Sequence, residues 1–165
     1  MKKYLISLLV LCFLTSCINQ TRDDVVEKSV IDKLINEWHV NAAEGHLEAY
    51  FDVLAEDFYF IGTDASEKWI KKDFKVFCEP HFADGSAWNF KPIKREIFFN
   101  EKLDFAWFDE QLNTQMGLCM SSGVLVITSK GWKIKHYQLS LHVPNEIVQD
   151  FMTLVETAKN TNIKN

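Results

Sequence analysis

Between Gly117 and Val143, two long runs rich in Val, Ile, Leu, Thr and Tyr meet at the tight turn Ser129-Lys130-Gly131. Branched and aromatic side chains suit a pleated, half-buried surface, and Gly131 supplies the backbone freedom that a short hairpin loop needs. The pattern predicts the central antiparallel hairpin of a curved sheet. Upstream, Val26, Val30, Ile31, Leu34, Ile35, Trp38 and Ala42 recur at helical spacing behind Asp23 or Asp24 as cap, which predicts a long amphipathic helix ending at Gly45. Leu47, Tyr50, Phe51 and Leu54 predict a shorter helix across the same core, and Asp57–Gly62 a strand. Ser66 is placed to cap a third helix bearing Trp69, Ile70, Phe74, Phe77 and Cys78, with Glu67 in its first turn and Pro80 at its end. Strands are then expected over Trp88–Phe99 and Asp104–Asn113. Pro92 asks for an edge position or a bulge in the first of them, because proline cannot donate to a ladder. Pro144-Asn145 stops the last strand, and Ile147, Val148, Phe151, Leu154 and Val155 predict a terminal helix.

Helices first and antiparallel strands afterwards make an α+β plan: a curved antiparallel sheet, like a half-barrel, packed on three helices gathered on one face. Read with strict alternation, Trp132, Ile134, His136, Gln138, Ser140 and His142 share one face of the last strand, and Tyr137, Leu139, Leu141 and Val143 the other. Both faces are apolar, and three helices cover only one. A second copy of the chain, docked through the sheet, is the economical cover for the other.

At 165 residues the chain has the size of one domain with a real core. Thirteen Phe and five Trp imply a wide core or an aromatic-lined pocket. The start stands apart: Lys2-Lys3 and the apolar Tyr4–Leu14 have the form of an export signal, too short to span a bilayer. Leu14-Thr15-Ser16-Cys17 resembles a bacterial lipobox, which implies cleavage after residue 16, a lipid thioether on Cys17 and an acylated amine, the alternative being an ordinary cleaved signal peptide. On that reading residues 1–16 are a lipoprotein signal peptide, 17–23 a tether, 24–158 the domain and 159–165 a polar tail. The address is the bacterial cell envelope, periplasmic or outer-surface side. Removing residues 1–16 takes away two lysines and no acid, leaving 16 basic residues against 23 acidic. With no basic stripe, nucleic acid is excluded as a partner. Cys78 and Cys119 then remain, either as a disulfide or as buried thiols.

Four pieces in order carry a family resemblance: Phe60-Ile61-Gly62-Thr63-Asp64 with Glu67 and Trp69; Ala106-Trp107-Phe108-Asp109-Glu110; Gly123-Val124-Leu125-Val126; and Gly131-Trp132-Lys133-Ile134 with His136, Ser140 and Val143-Pro144-Asn145-Glu146. Over roughly residues 24–150 the chain resembles the SnoaL-like branch of the nuclear transport factor 2-like, or cystatin-like, superfamily. The resemblance implies a cone-shaped half-barrel wrapped on a long first helix, a pocket between sheet and helices, and dimers through the sheet. It covers isomerases, dehydratases, cyclases and proteins with no known activity, so it speaks to shape more than to chemistry.

Asp109 and Glu110 are neighbours on a strand, so only one can face the interior. Phe105 and Trp107 share a side with Asp109, and a desolvating surround there would suit that carboxylate to proton transfer. His136, beside Gln138 and Ser140, is the candidate second proton carrier, against a plain hydrogen-bonded core role. Trp38, Tyr59, Asp64, Trp69, Trp107, Gln138 and Ser140 are the candidate pocket lining, although Asp64 and Glu67 are also explained as helix-capping acids. No nucleophile elbow, phosphate loop or metal motif occurs in the sequence, and no cofactor is expected. The readings left standing are a pocket that binds a small organic molecule, a cofactor-free acid–base enzyme using Asp109 and His136, and a non-catalytic dimeric module.

Overall fold

The computed structural model describes residues 22–162. The stretch read as a signal peptide, the expected lipidation site Cys17 and most of the expected tether lie outside the described residues. The chain folds as α1 (Asp24–Ala43), α2 (Leu47–Asp52), β1 (Leu54–Ile61), β2 (Lys68–Ile70), α3 (Lys71–Ala83), β3 (Lys91–Phe99), β4 (Phe105–Thr114), β5 (Gly117–Thr128), β6 (Gly131–Leu141), a 3-10 turn (Asn145–Ile147) and α4 (Val148–Asn162). The six strands form one sheet in the order β2-β1-β6-β5-β4-β3. All pairings are antiparallel except β1 with β6, which run parallel.

Asp23 caps α1 through bonds from the backbone N–H of Val25 and Val26. Ile31, Ile35, Trp38, His39 and Ala42 form the buried stripe of α1, while Val26 and Val30 stay exposed. Gly45, at φ 70°, ends the helix with its Cα side against the backbone of Gly85, closer than any β-carbon would allow. There Ala87 N–H donates to the Ala42 carbonyl, joining the end of α1 to the segment after α3. Phe51, Phe58, Phe60 and Phe74 knit α2, β1 and α3 into one aromatic core.

The third helix departs from expectation at both ends. Residues 68–70 pair with β1 as a short strand, so α3 starts at Lys71 and Ser66 caps nothing. Instead Ser66 donates from N–H and hydroxyl to the Asp64 carboxylate inside the preceding loop. Pro80 sits within α3, and the helix continues to Ala83 because Phe82 is buried against Tyr50 and Trp88. Pro92 does fall on the edge strand β3 and beside a bulge, where Ile93 is the unpaired residue between Pro92 and Lys94. Cys78 and Cys119 are both free and buried. The last helix runs through Asn162, into the stretch read as a polar tail, and leaves Val148, Phe151, Met152 and Leu154 exposed.

A second bulge decides which side chains face the helices. Leu125 pairs with Ile134 and Val124 with His136, so Lys135 is an extra residue in β6. One inserted residue inverts the alternation beyond it. Trp132 and Ile134 are therefore on the same inner face as Tyr137 and Leu139, and His136 and Gln138 are turned outward. Lys135 itself reaches the Asp57 carboxylate on β1.

Candidate functional site

At the end of the cone where β1, β4 and β6 finish, α3 and the 84–90 segment hold aromatic rings apart from the sheet. The resulting cavity of about 230 Å³ is lined by Phe60, Trp69, Phe74, Phe77, Trp88 and Phe90, with Leu139 behind them and Met116 at the rim. The rings brace one another: Phe60 stacks on Phe74 at 4.2 Å between centroids, and Trp69 on Phe77 at 4.4 Å. Its polar groups are few, namely Thr63, Glu67, His81 and Gln115. Gly62 makes the rim possible, because a β-carbon there would overlap the Glu67 side chain. With that space free, the Glu67 carboxylate accepts from Asp64 N–H at 3.1 Å and Gly62 N–H donates to the Glu67 carbonyl.

Deeper in the cone lies a buried polar network that sequence reasoning missed. Glu110, 0% exposed, receives five donors. His39 Nε2 at 2.9 Å, the Ser121 hydroxyl at 2.8 Å and the Tyr137 hydroxyl at 3.3 Å converge on Oε1; Arg95 Nε at 2.9 Å and Nη2 at 2.6 Å converge on Oε2. The other arm of Arg95 grips α1, donating to the Asp32 carboxylate at 2.6 Å, the Asp32 carbonyl and the Asn36 amide oxygen. Burial by itself would raise the Glu110 pKa. The hydrogen bond and charge of His39, the Arg95 guanidinium and the Ser121 hydroxyl outweigh it and hold the carboxyl down at about 2. A general base works best near neutral pKa with a free lone pair. Glu110 has neither, so the network is a pin fixing α1 to β3, β4, β5 and β6.

The network also backs the cavity. His39 lies 5.9 Å from the Phe90 ring and Tyr137 5.8 Å from the Phe60 ring, centroid to centroid. The floor of the pocket is thus one ring away from the pinned groups. Trp38 stands beside them, stacked on Tyr50 at 4.9 Å and edge-on to Tyr137 at 4.8 Å, with its buried indole N–H unpartnered.

Of the residues singled out from the sequence, Trp69 lines the cavity and Trp38 is in the core beside it without lining it. The remainder fall elsewhere. Along β4 the buried positions are Ala106, Phe108, Glu110, Leu112 and Thr114, which puts Asp109, Trp107 and Phe105 on the outer face. Asp109 is corrected for that reason: its aromatic companions mark the outside of the cone, and its neighbour Glu110 points in. His136, Gln138 and Ser140 are corrected by the Lys135 bulge, which turns them outward. His136 Nδ1 donates to the Tyr59 carbonyl at 3.1 Å, and Tyr59 is itself an outer-face residue. Asp64 is exposed in the loop before β2, where the Ser66 bonds hold its carboxyl below the usual range. Among the described residues, no group of three His, Cys, Asp or Glu side chains is placed to hold a metal ion.

Two signals could have found the network. His39 sits four residues after Ile35 on the buried stripe of α1, so it needs a buried partner. Glu110 shares its parity with Phe108 and Leu112, the apolar alternation of β4.

The outer face has its own pattern. Across the sheet, Phe98, Trp107, Val124, His136, Tyr59 and Ile70 are successive cross-strand partners. Phe98 is 43% exposed and Trp107 42%, and their rings stack at 5.8 Å.

A half-barrel wrapped on a long helix, with an aromatic hollow at one end, defines the class. The model of the SnoaL-like domain matches residues 31–145, and the chain belongs to that family. Its solved likenesses include an NTF2-like protein of unknown function from Pseudomonas putida KT2440, at 12% identity and TM-score 0.63 over 74% of this chain and 91% of that one. A putative aromatic ring hydroxylase from Novosphingobium aromaticivorans is 17% identical, with TM-score 0.63 over 74% and 94%. A putative dehydratase from Streptomyces avermitilis is 11% identical, with TM-score 0.64 over 74% and 100%. At these identities the likeness establishes the nuclear transport factor 2-like fold. The comparison with curated proteins finds no match.

Proposed function

We propose that this is a lipid-anchored protein of a bacterial cell envelope whose SnoaL-like domain binds a small, ring-bearing organic molecule in the aromatic cavity. One observation carries the reading: six aromatic rings frame about 230 Å³ of space and only four polar side chains reach it. An apolar cavity of ~150 Å³ suffices for benzene, and drug-sized ligands occupy ~300–1,000 Å³. The occupant is accordingly a substituted single ring or a compact pair. Binding without transformation fits the chemistry best, because Glu110, the one deeply buried carboxylate among the described residues, is fully engaged and held at about 2.

The enzyme reading passes from Asp109 and His136 to Glu67 and His81, the titratable groups that line the same cavity. The outer row is proposed as an isologous homodimer interface, since the exposed Phe98, Trp107, Tyr59 and Ile70 lie along one sheet face and call for a partner. Native mass spectrometry of protein released from membranes tests the main reading. A retained small molecule that is lost in Trp69→Ala supports it; an empty cavity in both proteins counts against it. Proton exchange on the bound compound, abolished in His81→Ala, would move the reading to catalysis.

A further inference from the structure

The point where the chain enters the domain lies at the opposite end of the cone from the pocket. Arg22 donates to the Leu103 carbonyl at 3.2 Å in the β3–β4 turn, lies 4.0 Å from the Glu27 carboxylate and sits 6.0 Å over the Trp132 ring. Trp132 Nε1 in turn donates to Glu27 at 2.6 Å. The turn that receives Arg22 is itself braced. Asn100 accepts from the N–H groups of Asp104 and Phe105 and donates to the Asp104 carboxylate. The entry point is therefore fastened to α1, the β3–β4 turn and the start of β6 together.

The 20 residues of α1 separate this end from the other. At ~1.5 Å per residue that is ~30 Å. At the far end, Ala42 meets Ala87, and the pocket rim is built by Gly62, Thr63, Trp88, Gln115 and Met116. From Cys17 to Arg22 there are five peptide steps, a reach of at most ~18 Å when fully extended. The anchor therefore holds the entry end near the bilayer, while the pocket rim lies about one helix length beyond it. The elements at that entry end are the β3–β4 and β5–β6 turns, which carry Lys102 and Lys130 beside Glu101 and Asp104.

We infer that the domain stands with those two turns toward the lipid headgroups and the pocket mouth facing away, so that the ligand enters from water and not from the bilayer. The inference rests on the reading of Cys17 as the lipid anchor. It gives the pocket a source: a water-borne molecule, with membrane lipid excluded by distance.

Full-length protein purified from membranes, carrying Lys130→Cys or Gln115→Cys, is labelled with a fluorophore and reconstituted in phosphatidylethanolamine–phosphatidylglycerol vesicles containing headgroup quencher. Cys78 and Cys119 are buried and leave the new thiol as the labelling site. The Lys130 probe is expected to be quenched several-fold more than the Gln115 probe. Equal quenching, or stronger quenching at Gln115, overturns the orientation while leaving the anchor in place. Parent protein missing from the membrane fraction overturns the anchor reading and the orientation with it.

Discussion

Glu110→Gln is the sharpest probe of this fold, because it removes one charge and almost no volume from the centre of the pin. The carboxyl stands at about 2 in place of its ordinary 4.5. At ~1.36 kcal/mol per unit, that difference corresponds to roughly 3 kcal/mol of stability at neutral pH. A second route agrees. Removing one partner of a buried ion pair costs ~3–5 kcal/mol, and here Gln would turn an amide N–H₂ toward Arg95 or His39, donor against donor. Because the folded pKa is depressed, the contribution is complete above pH ~4.5, decays as the pH falls, and is gone below ~2. By pH 3 about half should remain.

Urea unfolding followed by tryptophan fluorescence, with Cys17→Ser as the background to keep the protein soluble, measures this directly. The variant is expected to lose roughly 3 kcal/mol at pH 7, and its deficit should shrink to about half at pH 3. A deficit below ~1 kcal/mol at pH 7, or one of the same size at both pH values, would refute the assignment of Glu110 as the ionised hub.

The other expectations are simpler. Gly123→Ala drives a β-carbon into the Phe108 ring, 2.7 Å from its Cζ, and to 2.9 Å from the His136 carbonyl oxygen, so it should cost ~1–3 kcal/mol, read as a lowered Tm. Trp107→Lys puts a charge in the outer aromatic row and should convert a homodimer to monomer in sedimentation velocity, with an unchanged circular dichroism spectrum; a persisting dimer would place the interface elsewhere. Cys17→Ser should move the protein from the membrane fraction to the soluble envelope fraction, and continued membrane association would remove the lipid anchor. Asp109→Asn and His136→Ala, both on the outer face, should leave ligand retention unchanged.

Periodicity carried most of the architecture because each long element has one consistent face. The spacing of Ile31, Ile35, Trp38 and Ala42 is enough to place α1, and Pro92 asks for an edge or a bulge and in the fold meets both. The side chains of the site were less legible, for two separate physical reasons. Alternation gives parity but not sign: on β4 it says that Asp109 and Glu110 face opposite ways, and placing Asp109 inside beside Phe105 and Trp107 takes aromatic rings as a mark of the interior. In this sheet both faces are aromatic, and the rings beside Asp109 are the exposed set. On β6, nothing local to Lys135 announces an extra residue, because its bulge is stabilised from outside the strand by Asp57. A strict count of two then carries His136 to the wrong face.

The same two features explain why the deep interior of the cone is a closed polar pin with no inward carboxylate left free. A carboxylate facing inward among apolar groups alone would bind its proton more tightly and could exchange it near neutral pH. The carboxylate that does face inward meets a histidine, an arginine, a serine and a tyrosine, and it is spent on holding them. What this secures is shape: with His39 against Phe90 and Tyr137 against Phe60, the rings at the base of the cavity rest on groups that cannot move without breaking the Glu110 network. A cavity walled by side chains with free rotation would collapse on itself in water, since its apolar lining gains by touching. An ion pair too tightly bound to transfer a proton is what braces the aromatic floor of this one.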